Sequence, residues 1–321
     1  MRLRHRRAVA AAAALVAGAG VGGALAIAGA TPALAANCWG ETPTITINSA
    51  GSFSGTSGHD VVEILANGAS YNPVGGSDSI CIVTAGGSTI WSAGSGHLIS
   101  GGPGVDYIYG SNGDDDISGG GGNDVLKGNG GRDEITGGPG DDYIRGNAGG
   151  IGGAAQVDKE QLRGDDGNDC ILGGTGYEQI NGGAGHDTIL LGHTDRYSDA
   201  QCAPAEDDNS TAAQNFRNSA DSDGGTVTGE SDNDRIWGSN GSDGLNGGFG
   251  NDVINGFNGD DSISGVEGTD ILKGGAGVDS VNGGTGTGDQ VYGGTGTGDT
   301  LYGDSTDTCY PDNGPATTTC L

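Results

Sequence analysis

The chain of 321 residues is poor in the side chains that build ordinary cores and nucleic-acid-binding surfaces. It has 4 Phe, 3 Trp, 9 Tyr and 1 Met, and it has only 13 Lys and Arg compared with 42 Asp and Glu. Few large apolar residues together with a formal net charge of -29 are typical of intrinsic disorder. The scarcity of Lys and Arg side chains argues against nucleic acid and anionic membranes as partners. A conventional enzyme core is not expected.

Motifs of catalysis are also missing from the sequence. No G-x-S-x-G or H-E-x-x-H motif occurs, and no stretch has room for a Rossmann or P-loop unit. His193 and Asp195 resemble half of a catalytic pair but have no convincing nucleophile. A glycosidase would need one special pair of carboxylates, whereas the carboxylates here recur along the chain. We therefore expect a protein that is not an enzyme.

The N-terminus has the three parts of a secretory signal peptide. Residues 1–7 are basic, residues 8–30 are rich in Ala, Gly, Val and Leu, and Ala33-Leu34-Ala35 forms an A-x-A cleavage signal. A membrane anchor is the alternative, although the run is only weakly hydrophobic. Removal of residues 1–36 takes away four arginines and no acid, so the charge falls from -29 to -33. We expect a secreted protein with no membrane contact after cleavage. The sequence does not decide between Sec and twin-arginine export.

Six cysteines follow this segment, and an even number in an exported chain favours disulfides. No C-x-x-C pair is present, which disfavours a metal-thiolate cluster. Six cysteines permit 15 connectivities, between which the sequence does not decide. Proximity along the chain makes three pairs our choice: Cys38 with Cys81, Cys170 with Cys202, and Cys309 with Cys320.

The 71 glycines do not follow the period of three that collagen requires; they follow a period of nine. Residues 101–145 divide into GGPGVDYIY, GSNGDDDIS, GGGGNDVLK, GNGGRDEIT and GGPGDDYIR. The register returns over residues 164–190 and again over residues 229–302, where two ten-residue variants end the series. In all there are fourteen nonamers and two decamers. These units resemble the RTX repeat G-G-x-G-x-D-x-U-x, where U is a large aliphatic residue.

Each position of the repeat has a physical role. Glycines at positions 1, 2 and 4 permit positive φ angles, so that a tight turn can direct backbone carbonyls at one point. Asp at position 6 adds a carboxylate, and such hard oxygen ligands in an irregular loop suit Ca²⁺ better than Mg²⁺ or Zn²⁺. Positions 7 to 9 form a short strand whose middle residue points inward. The resemblance implies an all-β fold, a right-handed parallel β-roll, with an ion between turns stacked 18 residues apart.

The candidate metal ligands are the position-6 carboxylates, which form about ten same-edge pairs. The decamers displace Asp289 and Asp299 by one place, and Glu178 replaces Asp within the second block. The expectation of a metal site is weaker at these three residues. The candidate residues are Asp106, Asp115, Asp124, Asp133, Asp142, Asp169, Asp187, Asp234, Asp243, Asp252, Asp261, Asp270, Asp279, Asp289 and Asp299.

The remaining segments keep parts of the pattern. Residues 37–100 keep the apolar rhythm but lose most carboxylates, so we expect a largely metal-free solenoid cap, with Asp60 and Asp78 as one residual pair; a separate small β-domain is the alternative. Within a roll over residues 101–190, residues 146–163 span two units and predict one degenerate coil, with Leu162 inward and Glu160 at a carboxylate position. Residues 191–228 read as a loop excursion, residues 229–302 as a second roll segment and residues 303–321 as a C-terminal cap.

These features together favour a secreted calcium-binding protein whose β-roll folds around rows of Ca²⁺. A cell-surface structural or adhesive protein that uses the roll as a rigid spacer is the alternative, and a secreted hydrolase or toxin is a weaker one. We expect a monomer that binds calcium ions and no nucleic acid. Contact with cell wall or polysaccharide stays open, since Tyr107, Val125 and Tyr143 share an outward position.

Overall fold

A computed structural model describes residues 41–147, 159–174, 176–192, 224–296, 298–311 and 317–320. These residues form 27 short strands and no helix, arranged as one 14-stranded and one 13-stranded sheet. Every strand pairing is parallel, and consecutive strands alternate between the two sheets. The fold is a β-solenoid of about 12 turns, as expected for a β-roll.

The 14-stranded sheet contains the odd-numbered strands: β1 (Ile45–Ile47), β3 (Val61–Ile64), β5 (Ser79–Ile82), β7 (Leu98–Ser100), β9 (Asp116–Ser118), β11 (Glu134–Thr136), β13 (Lys159–Asp166), β15 (Tyr177–Ala184), β17 (Thr226–Ser231), β19 (Gly244–Phe249), β21 (Ser262–Glu267), β23 (Ser280–Gly284), β25 (Thr300–Gly303) and β27 (Thr317–Cys320).

The 13-stranded sheet contains the even-numbered strands: β2 (Gly51–Ser54), β4 (Ala69–Asn72), β6 (Thr89–Trp91), β8 (Tyr107–Tyr109), β10 (Val125–Asn129), β12 (Tyr143–Asn147), β14 (Cys170–Gly174), β16 (Thr188–Gly192), β18 (Arg235–Trp237), β20 (Val253–Asn258), β22 (Ile271–Ala276), β24 (Gln290–Gly294) and β26 (Thr308–Tyr310).

The core is a stack of the aliphatic residues at position 8 of the repeats. Because side chains alternate across a strand, the middle residue of each short strand faces the opposite sheet and its neighbours face outward. Ile108, Leu126 and Ile144 stack in one sheet, and Ile117 and Ile135 in the other, each at most 1% exposed. One inward residue per strand therefore explains how so few aliphatic residues give a continuous core.

The strands between residues 45 and 100 are consecutive members of the same two sheets. Their inward residues continue the stack: Val62, Tyr71, Ile80 and Ile90 are fully buried, and Ile99 is 1% exposed. The register of these units therefore follows the aliphatic residues even where the repeat motif has decayed.

In the described part of residues 146–163 one new strand begins, β13, where the length of the segment predicted a whole degenerate coil. In the 14-stranded sheet Ile135 pairs directly with Leu162, and in the 13-stranded sheet Ile144 pairs directly with Ile171. Both steps are 27 residues long, nine more than the 18 residues of one coil. The length of an insertion, even as a multiple of nine, does not show whether its residues form paired strands, because a paired strand also needs an aliphatic residue at its inward position.

Two further boundaries differ from the expectation. The excursion drawn over residues 191–228 is shorter among the described residues, because Leu191 is buried in the core and β17 begins at Thr226, with Val227 inward. The segment 303–321 is also more than a closing tail. Its strands β26 and β27 pair with β24 and β25 and extend both sheets.

Three cysteines with described side chains, Cys81, Cys170 and Cys309, are disulfide-bonded, and no described cysteine is a free thiol. Their proposed partners lie outside the described side chains, so the connectivity stays a prediction. The signal peptide over residues 1–36, and His193 with Asp195, also lie outside the described residues. Across the described ranges, no helix is long and apolar enough to cross a membrane.

Candidate metal centre

The carboxylates at position 6 form two columns, one along each edge of the solenoid. We name them by the sheet whose strands they precede. Column one precedes the strands of the 13-stranded sheet and contains Asp106, Asp124, Asp142, Asp169, Asp187, Asp234, Asp252, Asp270, Asp289 and Asp307. Column two precedes the strands of the 14-stranded sheet and contains Asp60, Asp78, Asp115, Asp133, Glu160, Glu178, Asp243, Asp261, Asp279 and Asp299.

Within a column, one carboxylate oxygen links each coil to the coil before it. The backbone N–H of Asp106 donates to Oδ1 of Asp124 at 2.7 Å, and that of Asp124 donates to Oδ1 of Asp142 at 2.7 Å. In column two the N–H of Asp115 donates to Oδ1 of Asp133 at 2.9 Å. The same bond joins the other seven sequence-predicted pairs at 2.8 to 3.0 Å, so all ten pairs lie on adjacent coils: 169 with 187, 234 with 252, 252 with 270, 270 with 289, 243 with 261, 261 with 279, and 279 with 299.

The structure also joins carboxylates that the sequence left in separate blocks. The N–H of Asp142 donates to Asp169 at 2.8 Å, and the N–H of Asp187 donates to Asp234 at 2.9 Å across 47 residues. The N–H of Asp289 donates to Asp307 at 3.0 Å, a residue that we did not predict as a ligand. Column one is therefore continuous from Asp106 to Asp307.

Column two is less regular than column one. Its N-terminal end includes His97, whose Nδ1 accepts the N–H of Asp78 at 3.0 Å where an aspartate would otherwise accept it. Glu160 and Glu178 occupy the middle of the column and are buried, and Gly225 leaves one coil without a side chain. The buried glutamates could have been found by extending the position-6 register, but their role in the column depends on which strands pair.

The second carboxylate oxygen is buried and accepts no hydrogen bond in most of the described aspartates of the columns. The exceptions are Asp60, Asp106, Asp115, Asp243 and Asp307, because Oδ2 of each accepts a backbone N–H from the preceding turn at 2.5 to 2.7 Å. Buried polar atoms in proteins normally have partners, so an orphaned oxygen indicates a missing ligand. The oxygens concerned are Oδ2 of Asp78, Asp124, Asp142, Asp169, Asp187, Asp234, Asp252, Asp261, Asp270, Asp279 and Asp289.

Glycine at position 1 leaves room for this oxygen. A Cβ added to Gly128 would lie 2.1 Å from Oδ2 of Asp133, and one added to Gly247 would lie 2.1 Å from Oδ2 of Asp252. Both distances are well inside van der Waals contact. The repeat therefore uses its first glycine to open a cradle around the carboxylate.

Burial raises the pKa of these carboxylates, and the charge of neighbouring aspartates raises many of them further. The pKa is about 8 for Asp142, Asp234 and Asp261, with burial as the largest cause. It is about 7 for Asp124 and Asp187, again mainly through burial. Rows of acids that are expensive to ionise attract protons or cations, since either removes the repulsion between stacked neighbours.

The donor set fits a hard divalent cation. Among the described residues no three side chains of His, Cys, Asp or Glu converge on one point. A cation between two coils would therefore take one or two carboxylates from a column and the rest of its oxygen ligands from backbone carbonyls of the glycine turns. Such mixed oxygen coordination suits Ca²⁺, whereas Zn²⁺ prefers His and Cys.

A family model described as RTX calcium-binding nonapeptide repeat (4 copies) matches residues 93–126, 118–150, 158–192, 219–254 and 255–288. The matched residues make up about half of the chain. The chain belongs to the RTX calcium-binding repeat family. No curated protein matches the sequence. The RTX matches include the Glu160 and Glu178 coils, which depart from the Asp pattern, and leave out the coils before residue 93.

Proposed function

We propose that this RTX protein is an exported, non-enzymatic protein whose β-roll folds around rows of Ca²⁺. The observation that carries the proposal is that the second carboxylate oxygen of most column aspartates is buried and accepts no protein hydrogen bond. Calcium would be held by the fifteen position-6 aspartates predicted from the sequence, together with carbonyls of the glycine turns. Asp307 joins this set because it stacks on Asp289.

Calcium binding is coupled to folding in this proposal. Without a cation, two columns of carboxylates must be buried beside like charges, while the aliphatic stack supplies only one large side chain per strand. Extracellular calcium modules bind with a Kd of about 10⁻⁴ to 10⁻³ M, and at ten times Kd each site stabilises the fold by roughly 1.4 kcal/mol. Several such sites together reach the stability of a whole domain, about 5 to 15 kcal/mol.

Far-UV circular dichroism of the mature chain with and without millimolar Ca²⁺ tests the proposal. We expect a disordered spectrum in a chelator and a β spectrum after calcium is added, with Mg²⁺ at the same concentration as the matched control because it accepts this irregular geometry poorly. A spectrum that is the same in chelator and in calcium would contradict calcium-driven folding.

A rigid spacer at the cell surface is the second candidate function. The 14 strands of the longer sheet, stacked at about 4.8 Å, would make a rod of roughly 60 Å. A spacer requires attachment at one end and a binding surface elsewhere. The outer face of the 13-stranded sheet has an unusual composition and is a candidate for that binding surface.

A further inference from the structure

The two sheets present outer faces of opposite character. On the 14-stranded sheet the outward positions carry mainly Ser, Thr, Asn and Gln, with acids such as Asp116 and Glu134 and with Arg163 and Tyr302 as single basic and aromatic members. On the 13-stranded sheet the outward positions beside the inward stack carry no Asp or Glu from Ser70 to Tyr310. These positions therefore hold none of the 42 acidic residues of the chain.

Cations are concentrated on the same face. Lys127, Arg145, Arg235 and Lys273 all lie at outward positions of the 13-stranded sheet, each directly after an inward aliphatic residue or directly before one. The whole chain has only 13 Lys and Arg, of which four lie in the predicted signal peptide. The face is thus basic and free of carboxylates on a protein that is otherwise strongly acidic.

Aromatic rings flank these cations at the N-terminal end of the face. Trp91 and Tyr109 occupy paired positions on β6 and β8 and stack with their ring centroids 4.0 Å apart at an interplanar angle of 3°. Lys127 Nζ lies 5.5 Å from the ring centroid of Tyr109 and 5.6 Å from that of Tyr143. These distances allow cation–π attraction, which holds the ammonium group between two rings.

Part of this surface is open to solvent: Trp91 is 53% exposed and Tyr107 is 44% exposed. We define the aromatic-basic patch as Trp91, Tyr107, Tyr109, Lys127, Tyr143 and Arg145. The patch crosses four adjacent strands, which at about 4.8 Å per strand spans roughly 14 Å. Exposed aromatic groups rimmed by charge mark binding surfaces.

We propose that the aromatic-basic patch binds an anionic polysaccharide. The C–H faces of sugar rings pack against exposed aromatic rings, and Lys127 and Arg145 would pair with carboxylate or sulfate groups on the polymer. The absence of acids from this face removes the repulsion that such a polymer meets at the carboxylate columns. The register of the sheet fixes rings and cations in rows, which suits a repeating ligand.

A second copy of the chain is a poorer occupant of the patch. Two copies packed face to face about a twofold axis would bring the Lys127 and Arg145 groups of one copy against those of the other, since such an interface uses the same surface twice. Like charges facing each other in an interface are destabilising. An anionic chain has the opposite charge and needs no such symmetry.

Affinity electrophoresis and calorimetry with the calcium-loaded full chain test this proposal. The probes share one glucan backbone: neutral dextran, carboxymethyl-dextran and dextran sulfate, with the two charged polymers separating carboxylate from sulfate recognition. We expect binding to at least one charged polymer, no binding to dextran, and weaker binding as NaCl rises from about 0.05 to about 0.5 M. Binding to none of the polymers, or equal binding to dextran, would overturn the proposal.

Two substitutions locate the interaction. Trp91→Ala and Lys127→Glu should each weaken polymer binding about tenfold, as expected for central contact residues. Tyr302→Ala and Arg163→Ala are matched controls, because both side chains lie on the outer face of the other sheet and should leave binding unchanged. Circular dichroism in calcium verifies that each variant folds, which separates failure here from failure of calcium-driven folding. Loss with the control variants, or dimerisation that Trp91→Ala abolishes without polymer binding, would contradict the site.

Discussion

The coils between residues 61 and 100 and the repeat coils that follow share one cross-section but differ along their edges. In both regions every strand has a buried residue that points inward, as with Ile90 in the first and Leu126 in the second. Along the edges, the repeat coils present an aspartate at every turn from Asp106 to Asp142, whereas the earlier coils present Ala69, Ser88 and His97 at several of these positions.

This difference indicates that the inward stack determines the shape of the coils, whereas the carboxylates at their edges determine the dependence on ions. The inward aliphatic stack appears in both regions, and burying each Leu or Ile side chain stabilises a fold by about 1.5 to 3 kcal/mol. Buried carboxylates are dense in the repeats alone, where their pKa reaches about 8 at Asp142. The coils before residue 101 should therefore depend far less on calcium than the coils after it.

Removing calcium should give the largest difference between the two regions. In the full chain treated with a chelator, we expect amide protection to be lost within residues 101–147 and 224–296 and to persist within residues 61–100, because only the former must bury rows of uncompensated carboxylates. Hydrogen exchange followed by mass spectrometry measures both regions in one sample. Equal loss of protection in the two regions would show that the solenoid melts as one unit whatever its edges carry.

Changing the pH should also alter the stability of the repeat coils, by less than the removal of calcium does. In the metal-free fold the pKa of Asp124 and Asp187 is about 7 and that of Asp234 and Asp261 about 8, against about 3.9 for a solvated aspartate. A raised folded pKa leaves the fold most stable below about pH 4, and that stability is lost progressively as the pH rises from about 4 to about 8.

The metal-free protein should therefore have a higher Tm at pH 5 than at pH 8. Calcium requires the ionised carboxylates, so the gain in Tm on adding calcium should be smaller at pH 5 than at pH 8. Thermal melts in chelator and in calcium at each pH measure both quantities. A calcium-induced gain that is larger at pH 5 than at pH 8 would contradict the assignment of the columns as the ligands.

Much of this architecture was predictable because the repeat encodes it locally. The aliphatic residue at position 8 predicted the inward stack from Ile108 to Ile144, and stepping backward by nine or ten residues found Tyr71 and Ile90. The stacking of Asp106, Asp124 and Asp142 followed from two strands per coil. Local spacing suffices here because every coil contacts only its neighbours.

Contacts across the insertions were not predictable from spacing. Asp142 meets Asp169 and Asp187 meets Asp234 because the strands that follow them pair directly, β12 with β14 and β16 with β18. The nine-residue period alone does not say which strands pair across these longer steps. The contrast between the two outer faces was present in the sequence, since alternate units carry YIY, VLK and YIR against DIS and EIT. The 18-residue spacing of Tyr107, Val125 and Tyr143 already indicated the aromatic side of this contrast.

Single carboxylates should have a smaller effect that depends on their neighbours. Asp124 stacks between Asp106 and Asp142, whereas Asp115 stacks between His97 and Asp133. We expect Asp124→Asn to weaken two calcium sites and Asp115→Asn one, so Asp124→Asn should raise the calcium concentration at the folding midpoint further. Calcium titration by circular dichroism measures the midpoint.

Asp114→Asn is the matched control for these two variants, because its exposed side chain lies beside the column and not in it. It removes the same charge and should leave the midpoint within experimental scatter, since exposed charges contribute little. Equal midpoints for Asp124→Asn and Asp115→Asn would refute the sharing of each aspartate between two sites.

The smallest expected difference concerns two single glycines, one that packs against a column carboxylate and one that does not. At Gly128 an added Cβ would lie 2.1 Å from Oδ2 of Asp133 and must displace that carboxylate, whereas at Gly58 the nearest atom, Oγ1 of Thr56, lies 3.8 Å away. We expect Gly128→Ala to destabilise the calcium-loaded fold by about 1 to 3 kcal/mol and Gly58→Ala by less than about 0.5 kcal/mol. Denaturant unfolding in saturating calcium measures both. If Gly128→Ala proved as mild as Gly58→Ala, the carboxylate would not need the space that position 1 leaves, and the glycine there would serve only the turn.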